Sequence, residues 1–181
     1  MTNFDLSGFQ QQIKSQDAAL PPVDKWDPDF CGDIDLQIKH DGSWCYMGTP
    51  IGRKPLVKLF ASVLKREEDQ YFLVTPVEKV GIVVEDAPFI ITEWKRQDNK
   101  LVLTTNIGDI LVVSSDHPIE LFEDKKTSAK LPYVLVRRNL WARLHQNVFY
   151  QLAELGNEQS VNGKKHLTLK SDNYTFSLGE L

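Results

Sequence analysis

Long apolar runs are missing from the sequence and cysteine is scarce, and both absences limit what the protein can be. No apolar stretch approaches the ~20 residues that a bilayer-spanning helix needs, and the first residues, MTNFDLSGFQQQIKS, lack the basic-then-apolar order of a secretory signal. Cys31 and Cys45 have no second ligand pair at zinc-finger spacing, so neither a disulfide framework nor a structural zinc site is expected. We therefore expect a cytoplasmic protein with two ordinary thiols, buried or half-buried.

Common enzyme signatures are also missing. The sequence contains no GxxxxGK[ST], GxGxxG, HExxH or GxSxG. Its histidines, His40, His117, His145 and His166, are scattered singly, without the paired spacing of metal ligands. Each is interpreted as a surface or turn residue, and we expect no metal site and no cofactor.

The charge balance is mildly acidic, with 21 Lys and Arg against 25 Asp and Glu and a net charge of -4. Such a surface attracts neither nucleic acid nor an anionic membrane, so a nucleic-acid polymer and a membrane are not expected as partners. The hydrophobic fraction of 41% and the charged fraction of 25% are those of an ordinary folded protein.

Hydrophobic periodicity predicts a mixture of helices and strands. A short amphipathic helix is expected over Phe4 to Ser15, followed by an extended lead-in to the folded core. Alternation of Ile34, Leu36 and Ile38 with polar residues predicts a strand, and Asp41-Gly42 predicts a hairpin that returns through Trp44 and Tyr46.

The clearest predicted helix follows in PIGRKPLVKLFASVLKREED. Its helical stripe runs from Leu56 to Leu64, and Lys65 and Arg66 are expected to close it at the end where cations suit the helix dipole. Strands are predicted over Tyr71 to Thr75 and Val80 to Glu85.

Three β-like runs between Pro88 and Ser114 predict an antiparallel meander. Residues Asp116 to Lys130 are charged and polar, which favours a surface crossover rather than a core element. After them come two strands in LPYVLVRRNLWARL, a helix in QNVFYQLAELG that ends at a left-handed Gly156, a loop in NEQSVNGK, and a hairpin formed by KHLTLK and YTFSL.

The order strand, strand, helix, strand, strand therefore occurs twice. LPYVLVRRNLWARL aligns with DLQIKHDGSWCYM such that Leu135 matches Ile38 and Trp141 matches Trp44. The prediction is an α+β protein of two similar small units with an inserted antiparallel meander; the alternative is one irregular α+β domain. The expected boundaries are residues 1–20 for the N-terminal helix and lead-in, 21–87 for the N-terminal domain and 88–181 for the C-terminal domain.

Residues suited to ligand binding are concentrated in DGSWCYMGTPIGR and TPVEKVGIVVEDAPF. Trp44 and Tyr46 offer stacking faces, Gly48 permits close approach of a ligand to the backbone, and Arg53 precedes a helix whose free amides favour an anion. The structural alternative is that Trp44 packs in the core and that Arg53 pairs internally with an acidic residue. The acidic residues Glu78, Glu85 and Asp86 are also candidates for acid-base work.

Two long runs, GDIDLQIKHDGSWCYMGTPIGRKPLVKLF and YFLVTPVEKVGIVVEDAPF, strongly resemble the bacterial family known as domain of unknown function 1285. The resemblance covers the chain from about Trp26, and Cys45 stands where many relatives are expected to carry a larger ring. It implies a two-domain α+β fold with an internal repeat, a C-terminal part similar to pleckstrin-homology-like folds, and a ligand site between the two domains.

The leading hypothesis is that the protein binds a ligand and acts in regulation or signal transduction. It would hold a nucleotide-like or anionic ligand at the domain interface through Trp44, Tyr46, Gly48, Arg53, Thr75, Glu78, Glu85 and Asp86. One alternative is an enzyme acting on a small phosphorylated or nucleotide-like substrate. The other is a protein-interaction adaptor with an unknown protein partner.

Overall fold

The structure is a computed structural model that describes residues 4–14 and 20–181. These residues form two compact units. Unit 1 contains the described residues up to Lys39 together with Ser43–Glu85, and unit 2 contains His40–Gly42 together with Asp86–Leu181.

Three α-helices and fifteen strands make up the described part of the chain, together with one 3-10 turn at Val23–Lys25. The helices are α1 (Leu6–Lys14), α2 (Lys54–Ala61) and α3 (Gln146–Glu154). The strands of unit 1 are β1 (Phe30–Ile38), β2 (Trp44–Tyr46), β3 (Thr49–Pro50), β4 (Leu64–Glu67), β5 (Gln70–Val74) and β6 (Lys79–Val84). The strands of unit 2 are β7 (Phe89–Gln97), β8 (Lys100–Thr105), β9 (Ile110–Val112), β10 (Ile119–Glu123), β11 (Lys130–Arg137), β12 (Leu140–Leu144), β13 (Asn157–Val161), β14 (Lys164–Ser171) and β15 (Tyr174–Glu180).

Unit 1 is built on one six-stranded sheet in the order β3-β2-β1-β6-β5-β4. The alternation predicted for β1 is confirmed, because Leu36 and Ile38 are fully buried while Asp33 and Asp35 are exposed. The predicted hairpin is confirmed as well, with Ile38 opposite Trp44. Both predicted strands after the helix are present as β5 and β6.

Unit 2 is built on a second six-stranded sheet, in the order β10-β11-β12-β7-β8-β9, and on a three-stranded sheet, β13-β14-β15. The predicted meander is confirmed as β7, β8 and β9, which pair antiparallel in sequence order. Helix α3 begins after His145, whose ring nitrogen accepts a hydrogen bond from the Asn147 amide.

The two six-stranded sheets have the same topology. Each consists of two antiparallel meanders of three strands, and in each the first strand of the first meander lies parallel to the last strand of the second, β1 to β6 and β7 to β12. The prediction of an α+β fold with two similar units is therefore confirmed. The sheet of unit 2 fits a pleckstrin-homology-like fold.

The predicted match between the two tryptophan-bearing hairpins is wrong, because the hairpins occupy different places in their sheets. Trp44 lies on β2, in the first meander of its sheet, whereas Trp141 lies on β12, in the second meander. The two hairpins do share a register, since Leu135 faces Trp141 as Ile38 faces Trp44. A separation of six positions from a large aliphatic residue to a tryptophan fits any tight hairpin, so this spacing does not identify the place of the hairpin in a sheet.

The predicted helix after Pro55 is shorter than expected. Helix α2 ends at Ala61, and Lys65 and Arg66 belong to strand β4 instead of closing the helix. Leu64 pairs with Leu73 of β5. A pair of apolar residues such as Val63 and Leu64 suits a helical stripe or a strand equally, and pairing with β5 selects the strand.

Three further predictions in the second half are wrong. The expected crossover of Asp116 to Lys130 contains β10, which pairs with β11 along five residues. The expected loop in NEQSVNGK is β13 with its turn. Gly156 does not have a positive φ; a Cβ there would lie 2.7 Å from the Leu167 side chain, so close packing explains this glycine.

Helix α1 matches the predicted N-terminal helix from Leu6 to Lys14, and Ser15 lies outside the described residues. As predicted, Cys45 is buried and Cys31 is half-buried. None of the helices in the described ranges has the length and apolar character required to cross a bilayer.

Candidate functional site

The predicted residues of the first block all lie in unit 1. Trp44 is only 2% exposed and its indole Nε1 has no hydrogen-bond partner, so it packs in the core. Tyr46 is half-buried, and Gly48 has φ +81° in the turn after it. Arg53 is exposed and precedes α2. In residues 4–14 and 20–181, no hydrogen bond or ion pair joins Arg53 to the other predicted site residues.

The structure brings Thr75 and Glu78 together. The Thr75 hydroxyl accepts a hydrogen bond from the Glu78 amide at 3.0 Å and donates to Gln12 Oε1 of α1 at 2.6 Å. Gln12 Nε2 in turn donates to the Glu78 carboxylate at 3.3 Å. Glu85 has a different partner, since it is exposed and lies 3.5 Å from the Lys39 ammonium. The contacts of Gln12 with Thr75 and Glu78 hold α1 to the turn between β5 and β6.

Asp86, the last predicted site residue, belongs to a buried network in unit 2. Its carboxylate accepts hydrogen bonds from the Lys125 amide at 3.0 Å, the Tyr133 hydroxyl at 2.8 Å and Arg143 Nη1 at 2.6 Å. The side chains of Asp86 and Arg143 are 2% and 9% exposed. A buried ion pair of this kind stabilises a fold only when further hydrogen bonds satisfy its remaining atoms, and those are present here.

Asp124 is the second carboxylate of this network. The Thr127 hydroxyl and amide donate to its Oδ2 at 2.6 and 3.0 Å, and its Oδ1 lies 2.7 Å from His40 Nε2 and 3.9 Å from Arg143 Nη1. The Asp124 side chain is 1% exposed. Arg143 therefore lies between two buried carboxylates, to one of which it is directly bonded.

His40 completes what we call the Arg143 network, which consists of Asp86, Arg143, Asp124 and His40. Arg143 Nη2 donates to the His40 carbonyl oxygen at 2.6 Å and lies 3.4 Å from His40 Nδ1. Asp124 accepts a hydrogen bond from His40 Nε2, because an ionised carboxylate has no proton to donate.

Electrostatics keep Asp124 ionised. Burial by itself raises the pKa of the Asp124 carboxyl, but hydrogen bonds from the Thr127 hydroxyl, from His40 and from the Thr127 amide outweigh it and lower the pKa from 3.8 to about 2. Burial and the neighbouring Asp86 carboxylate raise the pKa of Tyr133, which stays protonated and donates.

Three atoms of the network have the spacing of metal ligands. One ligand atom each of His40, Asp86 and Asp124 lies within 4.8 Å of the others. The residues do not fit a metal ion in this arrangement, because the Arg143 guanidinium already lies against Asp86 and its fixed positive charge would repel a cation. Hydrogen bonds from Lys125, Tyr133 and Thr127 also occupy the carboxylate lone pairs. The arrangement is an ion-paired network.

His40, Asp124 and Arg143 of this network form the polar floor of a cavity in unit 2 with a volume of about 510 Å³, and Asp86 does not line it. We call it the unit 2 cavity. Its apolar wall consists of Leu131 and Pro132 of β11, Leu144 of β12 and Phe149 of α3. Around it lie exposed residues, namely Asp41, Thr127, Ala129, His145, Gln146 and Tyr150. Volumes of about 300–1,000 Å³ with apolar walls and a few polar groups are typical of small-molecule sites.

Sequence analysis identified only Asp86 of the Arg143 network, and none of the predicted site residues lines the unit 2 cavity. Asp124 was assigned to a surface crossover because charged residues are usually exposed, and its partner His40 lies 84 positions away. One signal was present: Arg143 is the only charged residue of WARLH and lies between Ala142 and Leu144, which are apolar. A charge within an apolar strand indicates a buried partner.

Comparison with known proteins identifies relatives along the whole chain. Family models described as "Domain of unknown function (DUF1285), N-terminal domain" and "Protein of unknown function (DUF1285), C-terminal domain" match residues 21–87 and 88–178. A DUF1285 family protein from Silicibacter pomeroyi is 40% identical, with a TM-score of 0.85 over 99% of this chain and 97% of its own. One from Shewanella baltica is 34% identical, with a TM-score of 0.54 over 67% of this chain and 92% of its own.

A search of curated proteins gave no match. The two family models together span most of the chain, and a solved structure at 40% identity covers nearly all of it. The chain therefore belongs to the DUF1285 family, whose function is unknown.

Proposed function

We propose that this protein binds a small nucleotide-like molecule in the unit 2 cavity, without catalysis, and acts as a regulatory or signal-transduction protein. The observation that carries the proposal is the convergence of two nine-tenths-buried charged side chains, Arg143 and Asp124, on a cavity with an apolar wall. Convergent polar groups in an apolar cavity are the usual mark of a ligand site.

The lining favours the ring end of such a molecule over its phosphates. Phe149 and Leu131 offer apolar surface for a flat ring, and Gln146 offers an amide for its edge. Arg143 is already neutralised by Asp86 and Asp124, so its charge is not available to attract a phosphate. The proposed ligand is therefore held mainly by a nucleoside-like moiety, with any phosphate directed outward.

The state of the carboxylates supports the proposal of binding without turnover. Asp124 has a pKa of about 2, which makes it a weak base at neutral pH. Asp86 is engaged by Arg143 and Tyr133. Neither group is poised to transfer a proton, which favours a binding role over the enzymatic alternative.

Titration calorimetry tests the proposal with adenosine, guanosine, cytidine and uridine and with their 5′-monophosphates. We expect at least one nucleoside to bind, and its monophosphate to bind within about threefold of it, because little energy comes from the phosphate. Absence of binding by all eight compounds, or binding that needs the phosphate, would contradict the proposal.

Two variants locate the site. Ala129→Trp adds bulk at an exposed position that lines the unit 2 cavity, and we expect it to abolish binding. Arg53→Ala is the matched control, since it removes the exposed arginine of the block predicted from sequence. The opposite result, with loss of binding only in Arg53→Ala, would favour the sequence-predicted site. A ligand position between the domains and a cytoplasmic location stay predictions.

A further inference from the structure

Unit 1 has an open groove of about 780 Å³ on the exposed face of its sheet, where β1 and β6 run side by side. The register between these strands shifts twice, between Phe30 and Asp33 and between Asp33 and Gln37. Gly32, with φ +105°, lies at the first shift. Such bulges separate strands locally and occur often beside binding sites.

The groove exposes apolar side chains. Phe30 is 48% exposed and Val83 is 52% exposed, and both line the groove. The Phe72 ring also lines the groove. It packs edge-to-face with Phe30, with 5.8 Å between the ring centroids, and the Lys79 ammonium lies 4.3 Å from its centre. Grouped exposed apolar residues next to polar ones are typical of protein interaction sites.

The charges around these apolar residues are mainly negative. Three carboxylates line the groove, those of Asp33, Glu67 and Asp69, against one ammonium, that of Lys79. Glu67 is paired with Lys79 at 2.7 Å and Asp69 with Arg66 at 3.4 Å, which leaves the Asp33 carboxylate as the negative charge of the groove that has no cation within the described residues. The exposed side chain of Asp33 makes no hydrogen bond or ion pair with any residue in the described ranges, and the same holds for the side chain of Asp35 on the same strand.

We propose that this groove docks a segment of another protein in which lysine or arginine residues alternate with apolar ones. Apolar side chains of that segment contact Phe30 and Val83, and its cations pair with Asp33 and Asp35. Complementary charge of this kind fixes orientation and speeds association. The proposal concerns a surface of unit 1 and is independent of ligand binding in unit 2.

The probe is a 12-residue peptide of alternating lysine and leucine, added to the ¹⁵N-labelled full chain and followed by NMR. We expect the amide signals of Phe30, Phe72, Lys79 and Val83 to shift with saturation, and the shifts to weaken as salt increases. A peptide of alternating glutamate and leucine should leave them unchanged. Shifts spread evenly over both units, or no shifts, would overturn the proposal.

Two variants test the charge pairing. One is the double variant Asp33→Lys/Asp35→Lys, and the control is Glu93→Lys, at an exposed position of β7. We expect the double variant to bind the lysine peptide about tenfold more weakly or worse, and the control to bind within about twofold of wild type. Equal binding by all three proteins would overturn the proposal. So would concentration-dependent dimerisation, measured by sedimentation, that the double variant abolishes, since the occupant would then be a second copy of this chain.

Discussion

The two six-stranded sheets place different side chains at one equivalent position beside their parallel strand pair. The amide of Glu85, just after β6, donates to the Ile38 carbonyl at 2.9 Å, and the amide of His145, just after β12, donates to the Ile91 carbonyl at 2.9 Å. Two residues before these amides stand Val83 and Arg143. Val83 is 52% exposed and Arg143 is 7% exposed.

This difference separates what topology determines from what side chains determine. Alternation along the strands places both residues on the face opposite the buried apolar side chains, which for β12 include Leu140 and Ala142. In unit 1 that face stays an open groove. In unit 2 an arginine at the same place, paired with two carboxylates, forms the floor of a cavity.

The largest difference in stability is expected between alanine substitutions of Trp44 and Trp141. Trp44→Ala should lower the free energy of unfolding by about 4 kcal/mol, because it empties a core position that is 2% exposed. Trp141→Ala should cost about 1 kcal/mol, since Trp141 is half-buried and loses mainly its edge contact with Phe122. Urea unfolding measures both, and equal costs would mean that the two hairpins are equivalent after all.

The second-largest difference in stability is expected between substitutions at the equivalent position of the two sheets. Arg143→Met leaves Asp86 and Asp124 buried without their cation, and we expect a loss of about 3 kcal/mol. Val83→Met at the exposed position should change stability by less than about 0.5 kcal/mol. If both variants unfolded at the same urea concentration, the Arg143 network would not be a stabilising feature of unit 2.

A smaller loss of stability is expected when the pH is lowered. The folded-state pKa of Asp124 is about 2, below the ordinary 3.8, so its contribution of about 2 kcal/mol is fully present above pH about 4 and is lost as the pH falls from there through about 2. Asp124→Asn should remove this part of the pH dependence of unfolding. Thr127→Val removes a hydrogen bond that lowers the pKa of Asp124, so it should narrow the pH range over which this stability is lost. An unchanged slope between pH 4 and 2 in Asp124→Asn would refute the assignment.

The smallest predicted difference concerns two glycines with positive φ. A Cβ at Gly42 would lie 2.7 Å from the Ile90 side chain, whereas nothing lies within 4 Å of the same atom at Gly48. Gly42→Ala should therefore cost about 1 kcal/mol more than Gly48→Ala in thermal unfolding, the shared backbone strain cancelling in the comparison. A larger cost at Gly48 would be inconsistent with the packing of the turn in unit 2.

Sequence reasoning predicted most elements because their signals are local. The alternation in β1, the Asp41-Gly42 turn and the meander after Pro88 each depend on neighbouring residues. It failed at Lys65 and Arg66, where pairing with β5 overrides a helical pattern, and at Gly156, where contact with Leu167 rather than backbone conformation requires glycine.

The candidate site was harder to predict because its residues are brought together by the sheet of unit 2. Arg143 and Asp86 lie 57 positions apart, and His40 and Asp124 lie 84 apart, so no spacing rule joins them. The sequence around Asp124 is that of an ordinary acidic loop, and only the pairing of β10 with β11 shows that this residue is buried. The repeat was detected, but its alignment was set by two tryptophans that occupy different meanders.

The most direct test of a ligand site built on the Arg143 network is an NMR titration of the ¹⁵N-labelled chain with the tightest-binding nucleoside. The account predicts that the amide signals of Thr127, Leu131, Arg143 and Phe149 shift together and saturate, while those of Trp44, Tyr46 and Arg53 do not move. Shifts confined to the latter three residues, or no shift at the cavity, would contradict it.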